Sequence, residues 1–381
     1  MRLPALLLPV IVATLLQAGH GGTPKRAELT YFFDRGYGQV EVGGRYVGME
    51  FHDSRPLPSR ISFYYPVANS IDLSTDYWRR ADSHPLALGI RVCGGKKEWL
   101  GREPWAYSLS PHTVSFHRES KGLVYRISYE FCLTEPAAVM TVTIRNSSVN
   151  PLSIDLYSHL RLALRTCQTY ERKELPLTEY QSGAGALAAH FDDPETDSAT
   201  VFVMNDGQKF SWWTTSAEEL GATDSGTSFW LRGDFLLLGA HKQQDGRQPA
   251  VAAFSYEQTV DPGDSLVVVQ IIGSCRRDEW KQVVGRLSRS WPDDVAAYDQ
   301  FIHAKAFDED IFAAGDSLLD RSAVWARALI AANAHYLNGR IVPMPCPAEY
   351  NFFFTHDLLL TNLGAVNFDA ARTKSAPTEG W

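Results

Sequence analysis

The residue types best suited to chemistry in this sequence lie within residues 349–369. An aromatic cluster, Tyr350–Phe354, leads into the neighbouring pair His356 and Asp357, and an apolar pattern with helical spacing begins there. Aromatic ring faces stack on sugar rings, and a charged pair at the start of a helix can hydrogen-bond sugar hydroxyl groups. The pattern indicates a candidate substrate-binding site with these members: Tyr350, Asn351, Phe354, His356 and Asp357.

Each of these residues also has an alternative interpretation. Asp357 can be a carboxylate that the helix dipole stabilises at a helix N-terminus, and His356 can be a surface or capping residue. The aromatic side chains of Phe352–Phe354 can pack inside a helical domain instead of contacting a ligand. Trp105 and the pair Trp212–Trp213 are further candidates for sugar contact, for which packing in or around a sheet core is the favoured interpretation.

The elements before this site are predicted to be β-strands over about residues 29–272. Apolar and polar residues alternate in short runs, and turn residues separate the runs. Gly43-Gly44 and Lys121-Gly122 each mark a hairpin turn. Many strands with short links and without helical interludes predict antiparallel sheets packed face to face, in a sandwich larger than the small standard ones.

The period of the pattern changes to that of helices after about residue 277. Residues 278–287 and 293–306 have helical spacing, with Pro292 at a plausible first position of the second segment. Residues 318–337 give the strongest helical pattern, and Asn338-Gly339 is typical of a helix C-terminus. A last helix is predicted to begin near Thr355–Asp357 and to extend to about Val366.

Composition narrows the classes of function. The chain has 381 residues, 45% of them hydrophobic and 12% aromatic, which is typical of a globular protein with room for two domains. The formal net charge is −8 and no basic stripe is visible, so nucleic acid is not an expected partner. The sequence contains neither a phosphate-binding glycine-rich motif nor a nucleophile elbow, which disfavours nucleotide-dependent and serine-hydrolase functions.

The N-terminus has the pattern of a secretory signal peptide. Met1-Arg2 is a short positive region, residues 3–16 are apolar, and Gln17-Ala18-Gly19 supplies small residues for cleavage. An uncleaved N-terminal anchor is the alternative. We therefore expect a periplasmic or extracellular protein without stable membrane insertion after cleavage. The five cysteines form no CxxC pair, so a structural zinc site is not expected, and no function is assigned to them.

With its order of elements and its loop Tyr350–Asp357, the chain resembles the bacterial glycogen-debranching (amylo-α-1,6-glucosidase) and glucoamylase-like six-hairpin glycosidases. The resemblance covers nearly the whole sequence from about Leu29. In the family, the aromatic-rich loop ends in Arg-Asp and holds hydroxyl groups of the terminal sugar; here His356 replaces the Arg, and Asp357 matches the Asp.

The resemblance implies a multidomain β + α fold, in which an antiparallel β super-sandwich precedes a helical linker and the start of an (α/α)6 toroid. The expected boundaries are a signal peptide at 1–22, the super-sandwich at 28–275, the linker at 276–316 and the first toroid helices at 317–381. A toroid of twelve helices needs roughly 300 residues. The sequence is therefore expected to hold at most the first hairpin, as a gene fragment or a frameshifted product would.

The function implied by the resemblance is hydrolysis of an α-glucan-type oligo- or polysaccharide by an inverting acid/base mechanism in the full-length parent. The catalytic carboxylates lie later in the family's toroid, so no catalytic residue is assigned in this chain. No metal or organic cofactor is expected. Two alternatives stay open: an inverting disaccharide phosphorylase of similar architecture, and a non-catalytic carbohydrate-binding β-sandwich.

Overall fold

The computed structural model describes residues 29–36, 38–72, 85–101, 103–162, 164–166, 176–191, 199–216, 250–307, 314–348 and 355–366. The strands in this part of the chain, numbered β1 to β21 in chain order, are Tyr31–Phe33, Gln39–Gly43, Val47–His52, Arg60–Phe63, Asn69–Asp72, Leu86–Val92, Glu98–Trp99, Ala106–Ser110, Thr113–Ser120, Leu123–Phe131, Ala137–Asn146, Leu152–Arg161, Leu164–Thr166, Leu177–Gln181, Ala186–His190, Ala199–Asp206, Trp212–Ser216, Ala250–Val260, Ser265–Arg276, Ala334–Leu337 and Arg340–Pro343. The helices are α1 (Trp280–Ala306), α2 (Ser317–Ala332) and α3 (Thr355–Ala365), with a short 3-10 turn at Ser182–Ala184.

The strands form three larger antiparallel sheets and one hairpin. The first sheet has nine strands in the order β1-β8-β9-β10-β11-β19-β16-β15-β14. The second has the order β17-β18-β12-β6-β7, the third has the order β13-β5-β4-β3-β2, and β20 pairs with β21. Each of the pairings between these strands is antiparallel, so the predicted β-rich fold with antiparallel sheets is confirmed.

Two cores lie on opposite faces of the nine-stranded sheet. Along β11, Ala138, Met140, Val142 and Ile144 belong to a core shared with both five-stranded sheets. The intervening Val139 belongs to a second core, which contains Trp280, Val283 and Leu287 of α1. Because alternate side chains of a strand point to opposite faces, one sheet is covered by strands on one side and by a helix on the other.

The hairpin predicted at Lys121-Gly122 is confirmed, and the one predicted at Gly43-Gly44 is present with its turn at residues 44–46, because Gly43 pairs with Gly48 as the last residue of β2. Ser120 pairs with Leu123, and Lys121 and Gly122 between them both have positive φ, as a tight two-residue hairpin requires. In the hairpin of β2 and β3, the Gly44 N–H donates to the Val47 carbonyl across the turn at 2.9 Å.

Two helix predictions are wrong. The segments 278–287 and 293–306 form one continuous helix, α1, with Pro292 inside it. The helix predicted over 318–337 ends at Ala332; residues 334–337 form β20, and Asn338-Gly339 is the two-residue turn of the hairpin with β21. The last helix, α3, lies where it was predicted. Within the described ranges, none of the helices is long and apolar enough to cross a membrane.

The described helices do not show a toroid. Helix α2 begins at the N-cap Asp316, whose carboxylate accepts hydrogen bonds from the N–H groups of Leu318 and Leu319, and it packs against α1. Helix α3 packs against α2 and β21. The structure therefore supports a sheet-rich molecule followed by helices, while the predicted domain boundaries and the (α/α)6 arrangement stay predictions.

Candidate functional site

The segment that leads into the predicted site is held on the third sheet by hydrogen bonds to its backbone. Ser62 Oγ donates to the Ala348 carbonyl at 2.6 Å, and the Tyr64 hydroxyl donates to the Pro347 carbonyl. The Ala348 N–H in turn donates to Oε2 of Glu41 at 2.9 Å. These contacts come from β2, from β4 and from the residue after β4, so the sandwich fixes the backbone just before the aromatic loop begins.

Two glycines allow this backbone to approach the sheet closely. A Cβ atom added at Gly48 would lie 1.8 Å from the Pro347 carbonyl oxygen, and one added at Gly43 would lie 3.0 Å from Pro347 Cβ. The 1.8 Å approach is far below any non-bonded contact, and the atom it meets belongs to the backbone, which cannot rotate away. Glycine is thus required at position 48 for the segment to rest where it does.

His335 of β20 connects the same segment to the β2–β3 hairpin. Its ring is buried, stacks on the Tyr64 ring at a centroid distance of 4.0 Å, and contacts the carbonyl oxygens of Gly44 and Cys346 at 3.0 Å each through its two nitrogens. A carbonyl oxygen only accepts, so a neutral imidazole can donate to just one of them, and the imidazolium can donate to both. Residues 346–348 are therefore attached to the sandwich at several points, directly or through His335.

The residues predicted to bind substrate fall at or beyond the edge of this described region. His356 and Asp357 lie in the first turn of α3, where backbone N–H groups have no intrahelical partner and favour negative charge. The side chains of residues 355–358 lie outside the described part of the structure. Tyr350, Asn351 and Phe354 also lie outside the described residues, so the predicted site stays a prediction.

The three tryptophans considered for sugar contact separate in the fold. Trp105 is 2% exposed and belongs to the main core, as the packing interpretation predicted. Trp213 is partly buried and stacks on Tyr180 at a centroid distance of 4.0 Å. Trp212 points to the opposite face of its strand, where it packs with Trp99 over small buried residues. No two of the three are brought together at one surface.

A cavity of about 330 Å³ lies elsewhere, between α1 and the end of the β9–β10 pair, where β9 begins and β10 ends in the nine-stranded sheet. The helix contributes an aromatic and apolar wall with Trp291, Pro292, Val295 and Ala296. The polar groups His112, Thr113, Glu130 and Asp299 also line it. The position of these groups is set by the turn before β9, by the end of β10 and by the second half of α1.

The side chains of this cavity are held in place by their neighbours. Nε2 of buried His112 donates a hydrogen bond of 2.9 Å to Oδ1 of Asp299, and the His112 ring meets the buried Tyr298 ring edge-on at 5.6 Å. The Trp291 Nε1–H donates to Oδ2 of Asp206 at 2.6 Å, which fixes the plane of the indole. Preorganised groups of this kind lose little entropy when a ligand binds.

The two carboxyl groups of the cavity differ in their protonation equilibria. The hydrogen bond from His112 holds the pKa of the Asp299 carboxyl below its usual range, against a smaller opposing effect of burial. Burial raises the pKa of Glu130, despite the nearby charge of Arg126 and the contribution of His112. Within the described part of the chain, Glu130 makes no side-chain hydrogen bond or ion pair. Carboxyl groups whose pKa values are driven apart in one cavity are typical of functional sites.

Sequence reasoning missed this cavity. Glu130 occupies an outward position in the alternating strand β10, a pattern that predicts a solvent-exposed side chain. The partners of that face come from α1, more than 150 positions later in the chain. The one available signal was Trp291-Pro292, an aromatic residue next to a proline inside a helical pattern, and it was interpreted as a helix start.

A change of Glu130 to Gln tests the electrostatics of the cavity. Because the folded-state pKa of Glu130 is raised, ionisation of Glu130 costs the folded state free energy above the pKa of an unfolded glutamate, which is about 4.3. We expect Glu130→Gln to raise the free energy of unfolding at pH 7, and the gain to fade as the pH falls below about 4. Urea titrations of both proteins from pH 3.5 to 7 measure this. A variant less stable than the wild type at pH 7 would contradict the assigned burial.

Comparisons with known proteins give likeness in structure alone. No protein-family model matches the chain, and no curated protein matches its sequence. Among solved structures, a protein of the human microbiome assigned as a kojibiose phosphorylase matches with a TM-score of 0.48 and 10% identity, over 81% of this chain and 42% of that one. A polysaccharide lyase matches with a TM-score of 0.40 and 12% identity, over 64% of this chain and 35% of that one.

A third match is a Synechocystis protein, with a TM-score of 0.38 and 11% identity, over 68% of this chain and 99% of that one. The chain thus spans less than half of the phosphorylase and lyase chains that it matches and nearly all of the Synechocystis protein. All three scores lie below 0.5 and describe a general similarity of shape that indicates no function.

Proposed function

We propose that the protein to which this chain belongs is a glycoside hydrolase that acts on an α-glucan-type oligo- or polysaccharide. The observation that carries the proposal is the attachment of residues 347–348 to the sandwich shortly before the predicted aromatic loop and the helix with His356 and Asp357. A sugar-binding loop needs a rigid base, because its side chains must meet hydroxyl groups within fractions of an ångström.

The exposed apolar faces of the C-terminal helices support the helical-domain part of this proposal. Leu318 and Leu319 at the start of α2 are 59% and 55% exposed. Leu359, Leu360 and Leu363 of α3 are 58%, 69% and 70% exposed. Helices that expose several leucines bury them against further elements in a stable assembly. We propose that these faces pack against other helices of an (α/α)6 toroid.

In the proposed mechanism, Asp357 binds and orients the terminal sugar. Its carboxylate accepts hydrogen bonds from two hydroxyl groups of the sugar. His356 donates a further hydrogen bond. Inversion then needs an acid and a base carboxylate about 6.5–9.5 Å apart with a water molecule between them, and neither role is assigned to a residue of this chain.

Replacing Asp357 by Ala tests the proposal. Loss of a charge-assisted hydrogen-bond acceptor is expected to weaken binding of a malto-oligosaccharide at least tenfold, by the usual energy of such bonds. Isothermal titration with wild type, Asp357→Ala and the control Asp261→Ala, an exposed residue of the β18–β19 turn, measures the effect. Equal affinities in all three proteins would remove Asp357 from the site.

The reaction itself is tested on the proposed complete protein, which includes the toroid, by following product anomers by NMR. A hydrolase releases free sugar of inverted configuration with or without phosphate, whereas a phosphorylase releases a sugar phosphate and requires phosphate. Phosphate-dependent turnover would replace hydrolysis by phosphorolysis in the proposal. Binding without turnover under either condition would favour a non-catalytic role.

A further inference from the structure

We propose that the cavity between α1 and the end of the β9–β10 pair, lined by Trp291, His112, Glu130 and Asp299, binds a single pyranose unit of a neutral saccharide. This second site does not include the predicted substrate-binding residues His356 and Asp357 of α3. It rests on the proposed function only for the class of its ligand. Its location comes from the fold alone.

The shape and chemistry of the cavity match a ring with one apolar face and a hydroxyl-bearing edge. Trp291, Pro292 and Val295 offer apolar and aromatic surface on one wall, while His112, Glu130 and Asp299 provide polar groups. The volume of about 330 Å³ is near the lower end for small-molecule pockets, which suits one ring. A pyranose can place its C–H face on the indole and its hydroxyl groups against the carboxyl groups.

The state of the polar groups favours a neutral ligand over a cation. Asp299 already accepts a hydrogen bond from His112, and its Oδ1 lies 3.6 Å from Nε2 of His303. The guanidinium of Arg126 contributes positive charge near Glu130. Among the described residues, no group of His, Cys, Asp and Glu side chains is arranged to hold a metal ion. Hydroxyl groups are well suited to Glu130, which can accept from them when ionised and donate when protonated.

The indole of Trp291 has the fixed orientation that stacking requires. Its N–H donates to Asp206 of β16, and Asp294, one helical turn further along α1, accepts hydrogen bonds from the β10–β11 turn. The wall of the cavity is thereby tied to the sheet on both sides of Pro292. A ligand would not have to order this wall on binding.

The experiment is saturation-transfer NMR on the full chain with glucose and maltose as ligands and with tetramethylammonium as a cationic probe. We expect saturation of the sugar protons in the wild type and no signal for the ammonium ion. Glu130→Gln and Trp291→Ala are each expected to weaken sugar affinity about tenfold or more, through loss of a charge-assisted hydrogen bond and of the stacking surface. Glu119→Gln, an exposed glutamate on neighbouring β9, is the matched control and should bind as the wild type does.

The outcomes distinguish sugar binding in this cavity from sugar binding at the predicted site with Asp357. Residual monosaccharide binding that survives Asp357→Ala and is lost in Glu130→Gln supports the cavity even if the proposed hydrolase activity fails. Binding that is lost in Asp357→Ala and unchanged in both cavity variants overturns the cavity site and leaves the proposed function standing. Saturation of the ammonium probe without saturation of sugar also overturns it. Glu130→Gln keeps the shape of the side chain, and a urea titration confirms that this variant is folded.

Discussion

Gly48→Ala is expected to destabilise the protein by more than about 3 kcal/mol and to release the segment that leads to α3. The new methyl group would lie 1.8 Å from the Pro347 carbonyl oxygen and 3.0 Å from Ala348 Cα. Either β3 shifts out of its pairing with β2 and β4, or residues 347–348 leave the sheet. Urea unfolding measures the loss of stability. Hydrogen exchange of the Ala348 amide, which donates to Glu41, measures the release of residues 347–348.

Gly285→Ala provides the matched control, since it adds the same methyl group at a glycine of α1 with no atom within 4 Å of the new Cβ. Alanine favours a helix interior over glycine by about 0.5–1 kcal/mol, so this variant should be slightly more stable than the wild type. Similar stability of the two variants, or an Ala348 amide that stays protected in Gly48→Ala, would show that the close approach at Gly48 does not fix the segment.

Asp294→Ala is expected to lower the free energy of unfolding by about 3 kcal/mol or more and to loosen α1 from the sheet. The buried carboxylate accepts hydrogen bonds from the Thr134 N–H and hydroxyl, at 2.8 Å for the hydroxyl, and from the Glu135 N–H at 2.9 Å. Alanine leaves these donors without their acceptor in a partly buried turn. Urea titration and limited proteolysis across residues 132–136 give the two readouts.

Asp293→Ala is the control for this change, because the adjacent Asp293 is exposed on the same helix. Its effect should stay within about 0.5 kcal/mol, as for most surface substitutions. Since Trp291 and the cavity depend on the position of α1, Asp294→Ala should also weaken sugar binding at that cavity, whereas Asp293→Ala should not. Equal losses of stability in the two variants would contradict the stabilising role of the hydrogen bonds between Asp294 and the β10–β11 turn.

The continuity of α1 through Pro292 shows how tertiary contacts override a local signal. Proline lacks the N–H that would bond the carbonyl four residues earlier, and its ring disfavours a helix interior, so the sequence favours a break at this point. In the fold, Trp291 is bonded to Asp206 and Asp294 is bonded to the β10–β11 turn. These contacts on either side of the proline stabilise the continuous helix, and neither partner is visible in the local pattern.

The end of α2 was mispredicted for a related reason. Asn338-Gly339 favours positive φ in both a helix C-terminus and a two-residue hairpin, so these residues do not distinguish the two structures. The helical spacing of apolar residues through Tyr336 favoured a helix C-terminus at Asn338-Gly339. In the structure the buried ring of His335 stacks on Tyr64 and places its two nitrogens 3.0 Å from the carbonyl oxygens of Gly44 and Cys346, contacts between residues far apart in the sequence, and the helix ends at Ala332.

The sequence by itself determined the class of the sheets, the hairpins at Gly43-Gly44 and Lys121-Gly122, and the place where α3 begins. Alternation, turn residues and helical spacing act over a few neighbouring positions, so they can be recognised without the fold. Only the tertiary structure decided that Glu41, Ser62 and Tyr64 hold the segment before the predicted site, and that Glu130 and His112 share a cavity with α1. Those contacts join residues 161 to 307 positions apart, from Glu130–Trp291 to Glu41–Ala348. Periodic patterns in a sequence reflect only neighbouring positions, so they do not indicate such contacts.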